Sequence, residues 1–187
     1  MGRKKSEHAL SKEMIVEEAD RQFLELNFSK VSMRSIANAL GCSHGSIYYH
    51  FDNKEQLFNA VIEKYFALLN QMLDNSLNLD PIEGTKQIFI SYIQFGLNNQ
   101  SQYDFMFVQQ LGLSDPLQQP APKESLKKFI HTIQTLHQNK LDEETIHSAF
   151  IALHGFVLYY KGRVESYDDA NLAANAHVDF LLKALVI

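Results

Sequence analysis

The chain has 187 residues, of which 45% are hydrophobic and 21% are charged, and its formal net charge is −5. These values are typical of a globular protein with a sizeable core, and they argue against a disordered or fibrous chain. A single cysteine, Cys42, excludes an internal disulfide framework and fits a reducing cytoplasm. The polar segment after Met1 does not resemble a signal peptide, and the apolar-rich segment 145–160 is too short to span a bilayer. We therefore expect a cytoplasmic protein with no membrane partner.

The charge is unevenly distributed along the chain. Residues 1–60 hold eight Lys or Arg and eight Asp or Glu, so the whole net charge of −5 falls in residues 61–187. Three basic residues, Arg3, Lys4 and Lys5, lie together near the beginning. A neutral N-terminal segment with a basic tip remains compatible with local contact to DNA, although the net charge is negative.

Apolar residues recur every three or four positions and nowhere alternate with polar residues over a strand length, which predicts an all-α fold of about nine helices. We expect Asn27 to end the first helix, Gly41 to end the second and Gln56 to complete a capping box with Asn53. The first four helices are predicted over 11–26, 32–41, 43–50 and 53 to about 77.

The remaining helices are predicted from capping residues and from the period of the apolar positions. Asp80 followed by Pro81 is a strong helix beginning. After an interruption at "NNQSQ", the segment "DFMFVQQLG" predicts a short helix, and "LSDPLQQPAP" predicts an irregular connection. The last three helices are expected to begin near Pro122, Asp142 and Asp168.

The spacing of Ala37, Gly41 and Ile47 predicts a helix-turn-helix. A small residue in the first of two short helices lets the second cross it closely. Glycine serves a turn with positive φ, and an aliphatic residue in the second helix seals the pair. The spacing alone would be common by chance, but here it lies between a capped first helix and a capped, long fourth helix.

Residues 15–62, "IVEEADRQFLELNFSKVSMRSIANALGCSHGSIYYHFDNKEQLFNAVI", resemble the DNA-binding domain of the TetR family of transcriptional regulators. The stretch "IYYHFDNKEQL" is the most specific part. The resemblance implies a helix-turn-helix DNA-binding domain over 1–53 and a helical ligand-binding and dimerisation domain over 54–187. Asn27 departs from the usual Gly after the first helix. His44 stands where a basic or small residue is more common, so the preferred DNA sequence cannot be taken from relatives.

The resemblance also implies roles for particular side chains on double-stranded DNA. His44, Gly45 and Ser46 would face the edges of bases, while Ile47 and Phe51 would point inward and hold the recognition helix in place. Ser32 and Arg34 would contact the other backbone strand. The residues expected to contact phosphates are Ser43, Tyr48, Tyr49, His50 and Lys54.

Other interpretations of this segment remain open at this point. Tyr48 or Tyr49 could be a half-buried core aromatic. His44 and His50 would need a third ligand to hold a metal, and Cys42 could be a redox sensor only with a depressed pKa. No phosphate loop, HExxH motif or nucleophile elbow occurs in the sequence, so we predict no catalytic residues, no cofactor, no metal and no enzyme activity.

Two helices near the end of the chain predict a homodimer. "AFIALHGFVLYY", residues 149–160, is apolar around its full circumference, so it must be covered on two sides. The last helix has the same requirement, and two such helices per chain would form a four-helix bundle, as in TetR-like proteins. The residues assigned to this interface are Phe150, Val157, Phe180, Leu181 and Leu185. A dimer of this kind would bind a palindromic operator.

The resemblance further implies a small-molecule effector that releases a repressor from its operator. We expect it to be apolar and either neutral or cationic, in a pocket drawn from Phe66, Phe89, Tyr92, Phe95, Tyr103, Phe107 and His154. His147, His154 and His177 could line either this pocket or the dimer interface. The alternative is a DNA-bound structural or interaction protein without a ligand. A cavity of several hundred Å³ would favour the repressor, and a filled core would favour the alternative.

Overall fold

The structure is a computed structural model, which describes residues 10–26, 28–107 and 120–185. The predicted all-α fold is confirmed across these residues. The described helices are α1 (Lys12–Leu26), α2 (Met33–Ala39), α3 (His44–Tyr48), α4 (Lys54–Asp74), α5 (Pro81–Asn98), α6 (Gln100–Phe107), α7 (Pro120–Leu136), α8 (Glu143–Tyr160) and α9 (Tyr167–Leu185), with a single 3₁₀ turn at Phe28–Lys30 after α1.

The chain divides into two compact units, the first ending at Lys64 and the second beginning at Tyr65. The boundary predicted from the sequence, after residue 53, coincides with the beginning of α4. In the structure the first half of α4 belongs to the first unit and the second half to the second unit, so a single helix contributes to both.

Local capping fixes the short helices of the first unit. The Ser32 side chain accepts a hydrogen bond from the N–H of Ser35, and the Ser35 side chain accepts one from the N–H of Ser32, which forms a capping box at the beginning of α2. Gly41 has a φ of +64°, which permits the tight turn into α3. At the beginning of α4, Asn53 accepts from the N–H of Gln56. The Gln56 side chain reaches back to the N–H of Asp52, one residue before the predicted partner.

The core of the first unit is apolar and closely packed. The rings of Phe23, Phe28 and Phe58 all contact one another, with centroid distances of 5.5, 5.6 and 4.8 Å. The fully or almost fully buried apolar side chains are Ile15, Ala19, Phe23, Ile36, Ala37, Ile47, Phe51, Leu57 and Val61. Because Ala37 and Ile47 are both buried, the helix-turn-helix packs as their spacing predicts.

Helix α5 is the central helix of the second unit, and it contacts α6, α7, α8 and α9. Asp80 caps it by accepting from the N–H groups of Ile82 and Glu83, and Pro81 occupies its first turn, as predicted. Gly96 is required on its inner face, because a Cβ atom there would lie 2.5 Å from a methyl group of Val157 in α8. The absence of a side chain therefore sets the close approach of these two helices.

Two helix boundaries in the second unit differ from the prediction. Helix α6 begins at Gln100, directly after α5, because the N–H of Tyr103 already bonds to the carbonyl of Asn99. Helix α7 begins at Pro120, two residues early, since proline is tolerated in the first turn of a helix. Residues 108–112 of the predicted sixth helix and 113–119 of the predicted connection lie outside the described residues.

Helix α8 keeps the apolar character expected from its sequence, and Asp142 caps it through the N–H of Thr145 at 2.8 Å. One side of α8 faces α5, and it also packs against α7 and α9. Among the helices that the structure describes, none combines the length and the apolar character that crossing a membrane requires.

Candidate nucleic-acid interface and core cavity

Helix α3 presents a polar face because its beginning is capped and its apolar side is anchored. Ser43 Oγ accepts the N–H of Ser46 at 3.1 Å, and the hydroxyl groups of these two serines lie 2.7 Å apart. Ile47 is fully buried and ties the helix to the core. This arrangement leaves His44 and Gly45 exposed on the outer surface, with Ser46 half-buried beside them. The three residues predicted to face bases therefore share one accessible surface.

The two tyrosines of this segment are surface residues. Tyr48 is 44% exposed and Tyr49 is 88% exposed, so neither is a core aromatic. Each ring is edge-on to a histidine: Tyr48 to His44 with centroids 4.8 Å apart, and Tyr49 to His50 with centroids 5.2 Å apart.

Ser32 and Arg34 lie at the exposed beginning of α2. The Ser32 side chain serves the capping box, and Ser35 donates a further hydrogen bond of 2.8 Å to Gln22 in α1. Gln22 is itself buried. This polar link fixes the beginning of α2 on α1, so that Ser32 and Arg34 occupy a defined position next to the turn.

Lys54 is held by an aromatic ring. Its Nζ atom lies 3.8 Å from the centroid of Phe28, which is a close cation–π contact, and burial lowers the pKa of its ammonium group. A phosphate contact of the kind predicted for Lys54 would require the ammonium to leave the Phe28 ring or to be shared with it.

The segment 42–50 carries no Lys, Arg, Asp or Glu, so its polar face consists of hydroxyl groups, imidazoles and backbone groups. Neutral donors of this kind contact phosphates and bases without releasing the counterions that lysine and arginine displace. Such a surface can bind DNA through geometry, but it adds little long-range attraction.

The two alternative uses of this segment receive no support from the structure. Burial raises the pKa of Cys42, which opposes the thiolate that a redox sensor needs. The rings of His44 and His50 contact tyrosines. Within the described ranges, no group of three or more His, Cys, Asp or Glu side chains is placed to hold a metal ion.

The aromatic residues assigned to an effector pocket pack against each other in the core of the second unit. The ring of Phe107 contacts Phe66, Tyr103 and His154, with centroid distances of 5.5, 4.7 and 5.0 Å. Phe89 stacks on Phe129 at 6.1 Å, and Phe95 is buried as well. The side chains chosen from the sequence therefore fill the core.

A small cavity does occur beside Tyr92, and of the seven predicted pocket residues only Tyr92 lines it. Its free volume of about 10 Å³ holds roughly one water molecule, far less than the several hundred Å³ expected of an effector pocket. Its lining residues are Leu69, Met72, Leu73, Ile88, Tyr92, Ser125, Phe129 and Phe150. Sequence reasoning missed Ser125 and Phe129, although the strong apolar stripe of α7 would have indicated the latter.

Next to this cavity, three polar side chains form a hydrogen-bonded chain inside the aromatic core. The hydroxyl groups of Tyr92 and Tyr103 lie 2.9 Å apart, and the Tyr103 hydroxyl lies 2.5 Å from Nδ1 of His154. Burial raises the pKa of both tyrosines and lowers the pKa of His154, so all three groups favour their neutral forms. His154 is itself half-buried, and its ring contacts the core through Tyr103 and Phe107.

The residues assigned to the dimer interface need correction. Phe150, Val157, Leu181 and Leu185 are buried within the chain itself, so they cannot form an outer apolar face. When a helix is apolar around its whole circumference, the sequence does not reveal which side packs against the chain's own core. In the structure the side of α8 that carries Val157 packs against α5. Phe180 is 66% exposed and remains available. The other exposed large apolar residues of α8 and α9 are Ile151, Leu158, Tyr159 and Leu172.

The three C-terminal histidines lie in different environments. His177 in α9 stacks on Phe156 with centroids 4.9 Å apart, and its Nε2 lies 3.3 Å from the carbonyl of Ala152, so it mediates packing between α8 and α9. The Nε2 atom of His147 is buried without a hydrogen-bond partner in the described part of the chain. His154 is hydrogen-bonded to Tyr103, so the three histidine side chains have different partners and do not converge on one site.

Comparison with known sequences finds a family model and relatives that match part of the chain. The family model described as bacterial regulatory proteins, tetR family, matches residues 15–61. The probable acrEF/envCD operon repressor of Escherichia coli strain K12 is 31% identical over 96 residues, 50% of this chain and 44% of the relative. The HTH-type transcriptional regulator TtgR of Pseudomonas putida is 33% identical over 81 residues, 43% of this chain and 39% of the relative. The matched part spans less than half of each relative.

Solved structures resemble almost the whole chain. A transcriptional regulator of the TetR/AcrR family from Thermobifida fusca has a TM-score of 0.68 and 17% identity, covering 91% of this chain and 96% of that one. The regulator FadR from Bacillus subtilis, in complex with stearoyl-CoA, has a TM-score of 0.70 and 15% identity, covering 94% and 98%. At such identities the likeness shows the fold alone, a helix-turn-helix unit followed by a helical unit.

Proposed function

Since the chain belongs to the TetR family of bacterial regulatory proteins, we propose that it is a DNA-binding transcriptional regulator that acts as a repressor in the cytoplasm. The exposed polar face of α3 carries this proposal: a short helix, capped at Ser43 and anchored by Ile47, offers hydroxyl and imidazole groups on one surface. The names of two relatives, an operon repressor and a transcriptional regulator, support the same activity. They do not name an enzyme.

In this proposal α3 enters the major groove. His44, Gly45 and Ser46 read base edges, since side chains at the beginning of a recognition helix reach them first. Phosphates are contacted by a larger set that surrounds this surface. Its members are Ser32, Arg34, Ser43, Tyr48, Tyr49, His50 and Lys54.

The regulator acts as a homodimer in this proposal. The outward faces of α8 and α9 carry exposed apolar side chains, among them Ile151, Tyr159, Leu172 and Phe180. Gly155 lies on the same face of α8, where a Cβ atom would meet nothing within 4 Å, so a second copy could approach closely. A two-fold dimer places two recognition helices about 34–36 Å apart, in successive major grooves of a palindromic site.

In this proposal a small-molecule effector acts through helix α4. Helix α4 belongs to both units, so a ligand that displaces its second half would also act on the first unit. The cavity beside Tyr92 lies against Leu69, Met72 and Leu73 of that half. Since the cavity holds about one water molecule, the effector must select a conformation in which the core is open.

The close packing of the aromatic side chains in the described part of the second unit favours the alternative, a DNA-bound structural or interaction protein that needs no ligand. The two functions differ in one measurable respect. A repressor that responds to an effector loses operator affinity when the effector binds, whereas the alternative binds DNA equally well with any small molecule present.

Selection of bound DNA from a random pool tests the central proposal. We expect the enriched sequences to share one palindrome, with half-sites about one helical turn apart. A variant with His44→Ala and Ser46→Ala is the control, because it should still bind DNA while enriching a different or degenerate sequence. Failure of the unaltered chain to enrich any sequence, or equal affinity for an isolated half-site, would contradict the proposal.

A further inference from the structure

Two hydroxyl groups belong to the residues that line the core cavity, those of Tyr92 and Ser125. The other lining side chains are Leu, Ile, Met or Phe, and none of the lining side chains carries a charge. The hydrogen bonds that these two hydroxyl groups can still form therefore decide which polar group a ligand can bring into the cavity.

The Ser125 hydroxyl has a single hydrogen, and that hydrogen is already used. It donates a hydrogen bond of 2.8 Å to the side-chain oxygen of Asn70 in α4, and Ser125 is buried. What remains on the Ser125 oxygen is acceptor capacity. Towards a ligand this residue acts as an acceptor.

The hydroxyl hydrogen of Tyr92 is also used, because the hydrogen bonds from Tyr92 to Tyr103 and from Tyr103 to His154 run in one direction. If neutral His154 accepts at Nδ1, Tyr103 donates to His154 and Tyr92 donates to Tyr103, so both phenol hydrogens are bonded. The opposite direction would leave the Tyr92 hydrogen unpaired in a buried site, which is destabilising.

The surroundings of His154 keep its imidazole neutral, as this direction of the hydrogen bonds requires. Its ring contacts Tyr103 and Phe107 of α6 and Phe150 of its own helix, and none of these side chains is charged. Burial lowers its pKa, so at neutral pH the imidazole is neutral and can accept. The Tyr92 oxygen, like that of Ser125, then offers only lone pairs.

We propose that this cavity opens to take an uncharged, mostly apolar effector that donates one hydrogen bond, such as an alcohol or a phenol. The inference deepens the effector site of the proposed function and rests on it. A hydroxyl hydrogen finds acceptors on Tyr92 and Ser125, whereas a ketone or a carboxylate meets lone pairs and no donor. The flexible Met72 side chain is the lining residue best suited to make room.

Two probes of almost equal size test this selectivity on the full chain without DNA: cyclohexanol, which donates a hydrogen bond, and cyclohexanone, which only accepts. Binding is measured by calorimetry and by NMR chemical-shift changes at neutral pH. We expect the alcohol to bind about tenfold more tightly, the effect of roughly one net hydrogen bond. Combining Tyr92→Phe with Ser125→Ala should abolish this preference.

Two further variants separate the hydrogen-bond direction from general packing. Tyr103→Phe frees the Tyr92 hydrogen, so the ketone should gain affinity relative to the alcohol. Tyr167→Phe removes a hydroxyl from a buried tyrosine that does not line the cavity, and it should keep the preference of the unaltered chain. The shift with Tyr103→Phe is the result that a purely structural role would not produce.

The inference is overturned if the ketone binds the unaltered chain as tightly as the alcohol, if neither probe binds at millimolar concentration, or if Tyr92→Phe with Ser125→Ala leaves the preference intact. Operator binding is measured separately. If the alcohol binds with the expected preference but no DNA is bound, the site stands and the proposed function fails.

Discussion

The two units of this protein place their polar groups in opposite ways. In the first unit the core is apolar, and the hydroxyl and imidazole groups of α3 are exposed around the buried Ile47. In the second unit the hydroxyl groups of Tyr92 and Tyr103 are bonded to each other inside an aromatic core, and Tyr103 is also bonded to the half-buried His154. A surface site of the first kind depends on a short local motif, whereas an interior site depends on which distant residues meet. The difference decides how each unit responds to substitution.

The largest expected effect separates buried from exposed apolar residues of the second unit. Val157→Glu should unfold this unit, because an unpaired carboxylate in an apolar core costs several kcal/mol. Phe180→Glu should leave the fold intact and convert the dimer to a monomer, since this side chain is 66% exposed. Circular dichroism and light scattering distinguish the two outcomes.

The matched control for this pair is Lys183→Glu, an exposed charge change on the same helix, which should leave both fold and dimer unchanged. A folded dimer of the Phe180→Glu variant would show that the interface lies elsewhere. The exposed face of α8 and α9 would then need another explanation.

The next effect concerns the close approach of α5 and α8. Gly96→Ala should lower the free energy of unfolding by about 1–3 kcal/mol, because the added methyl group overlaps Val157. The double variant with Gly96→Ala and Val157→Ala should lose less free energy of unfolding than the sum of the losses of the two single variants. Urea unfolding of the four chains measures this coupling, and simple additivity would contradict the assigned contact.

Substitutions on the surface of the first unit should change DNA binding and have little effect on the free energy of unfolding. Tyr49→Phe or Lys54→Ala should weaken binding to all DNA sequences by about 1 kcal/mol, roughly fivefold, whereas His44→Ala or Ser46→Ala should alter the preferred bases. Fluorescence anisotropy over a salt series provides the measurement.

Lys54→Ala should also reduce the magnitude of the salt slope by about 0.9, the value for one phosphate contact. An unchanged slope together with an altered sequence preference would mean that Lys54 reads bases, or that it stays on the Phe28 ring in the complex.

The smallest expected effect is a dependence of stability on pH. Burial lowers the pKa of His154, so between the folded pKa and the ordinary value near 6.5 the unfolded chain binds more protons than the folded chain. Stability therefore falls as the pH drops through this window and is fully present above it. His154→Asn, which keeps an acceptor for Tyr103, should show a shallower decline in urea midpoint between pH 7.5 and 5.5.

The helix-turn-helix was predictable because its determinants are local. Ser32 and Ser43 cap helices a few residues away, and Gly41 supplies the positive φ within a single turn. The contact roles of the α3 residues on DNA remain predictions. The position of Lys54 over Phe28 joins residues 26 positions apart, and no pattern in the sequence indicated it.

The sequence predicted which aromatic residues lie in the interior of the second unit, but it did not predict how they pack against one another. The aromatic residues chosen for a pocket are buried as expected, yet they pack on each other, and the cavity lies against Ser125 and Phe129 of α7. The period of the apolar positions identifies which side chains are buried. It does not show whether the chain's own helices or a second copy of the chain covers them. Val157 and Leu181 were assigned to a second copy for that reason, whereas the chain's own helices cover them.

The uncharged polar face of α3 has a consequence for the behaviour of the proposed regulator in a cell. Affinity for random DNA arises almost entirely from cations placed against phosphates, and α3 supplies none. If the protein acts as the repressor dimer proposed above, it would lose fewer of its copies to the millions of competing sites in a chromosome. A small number of molecules per cell could then keep one operator occupied.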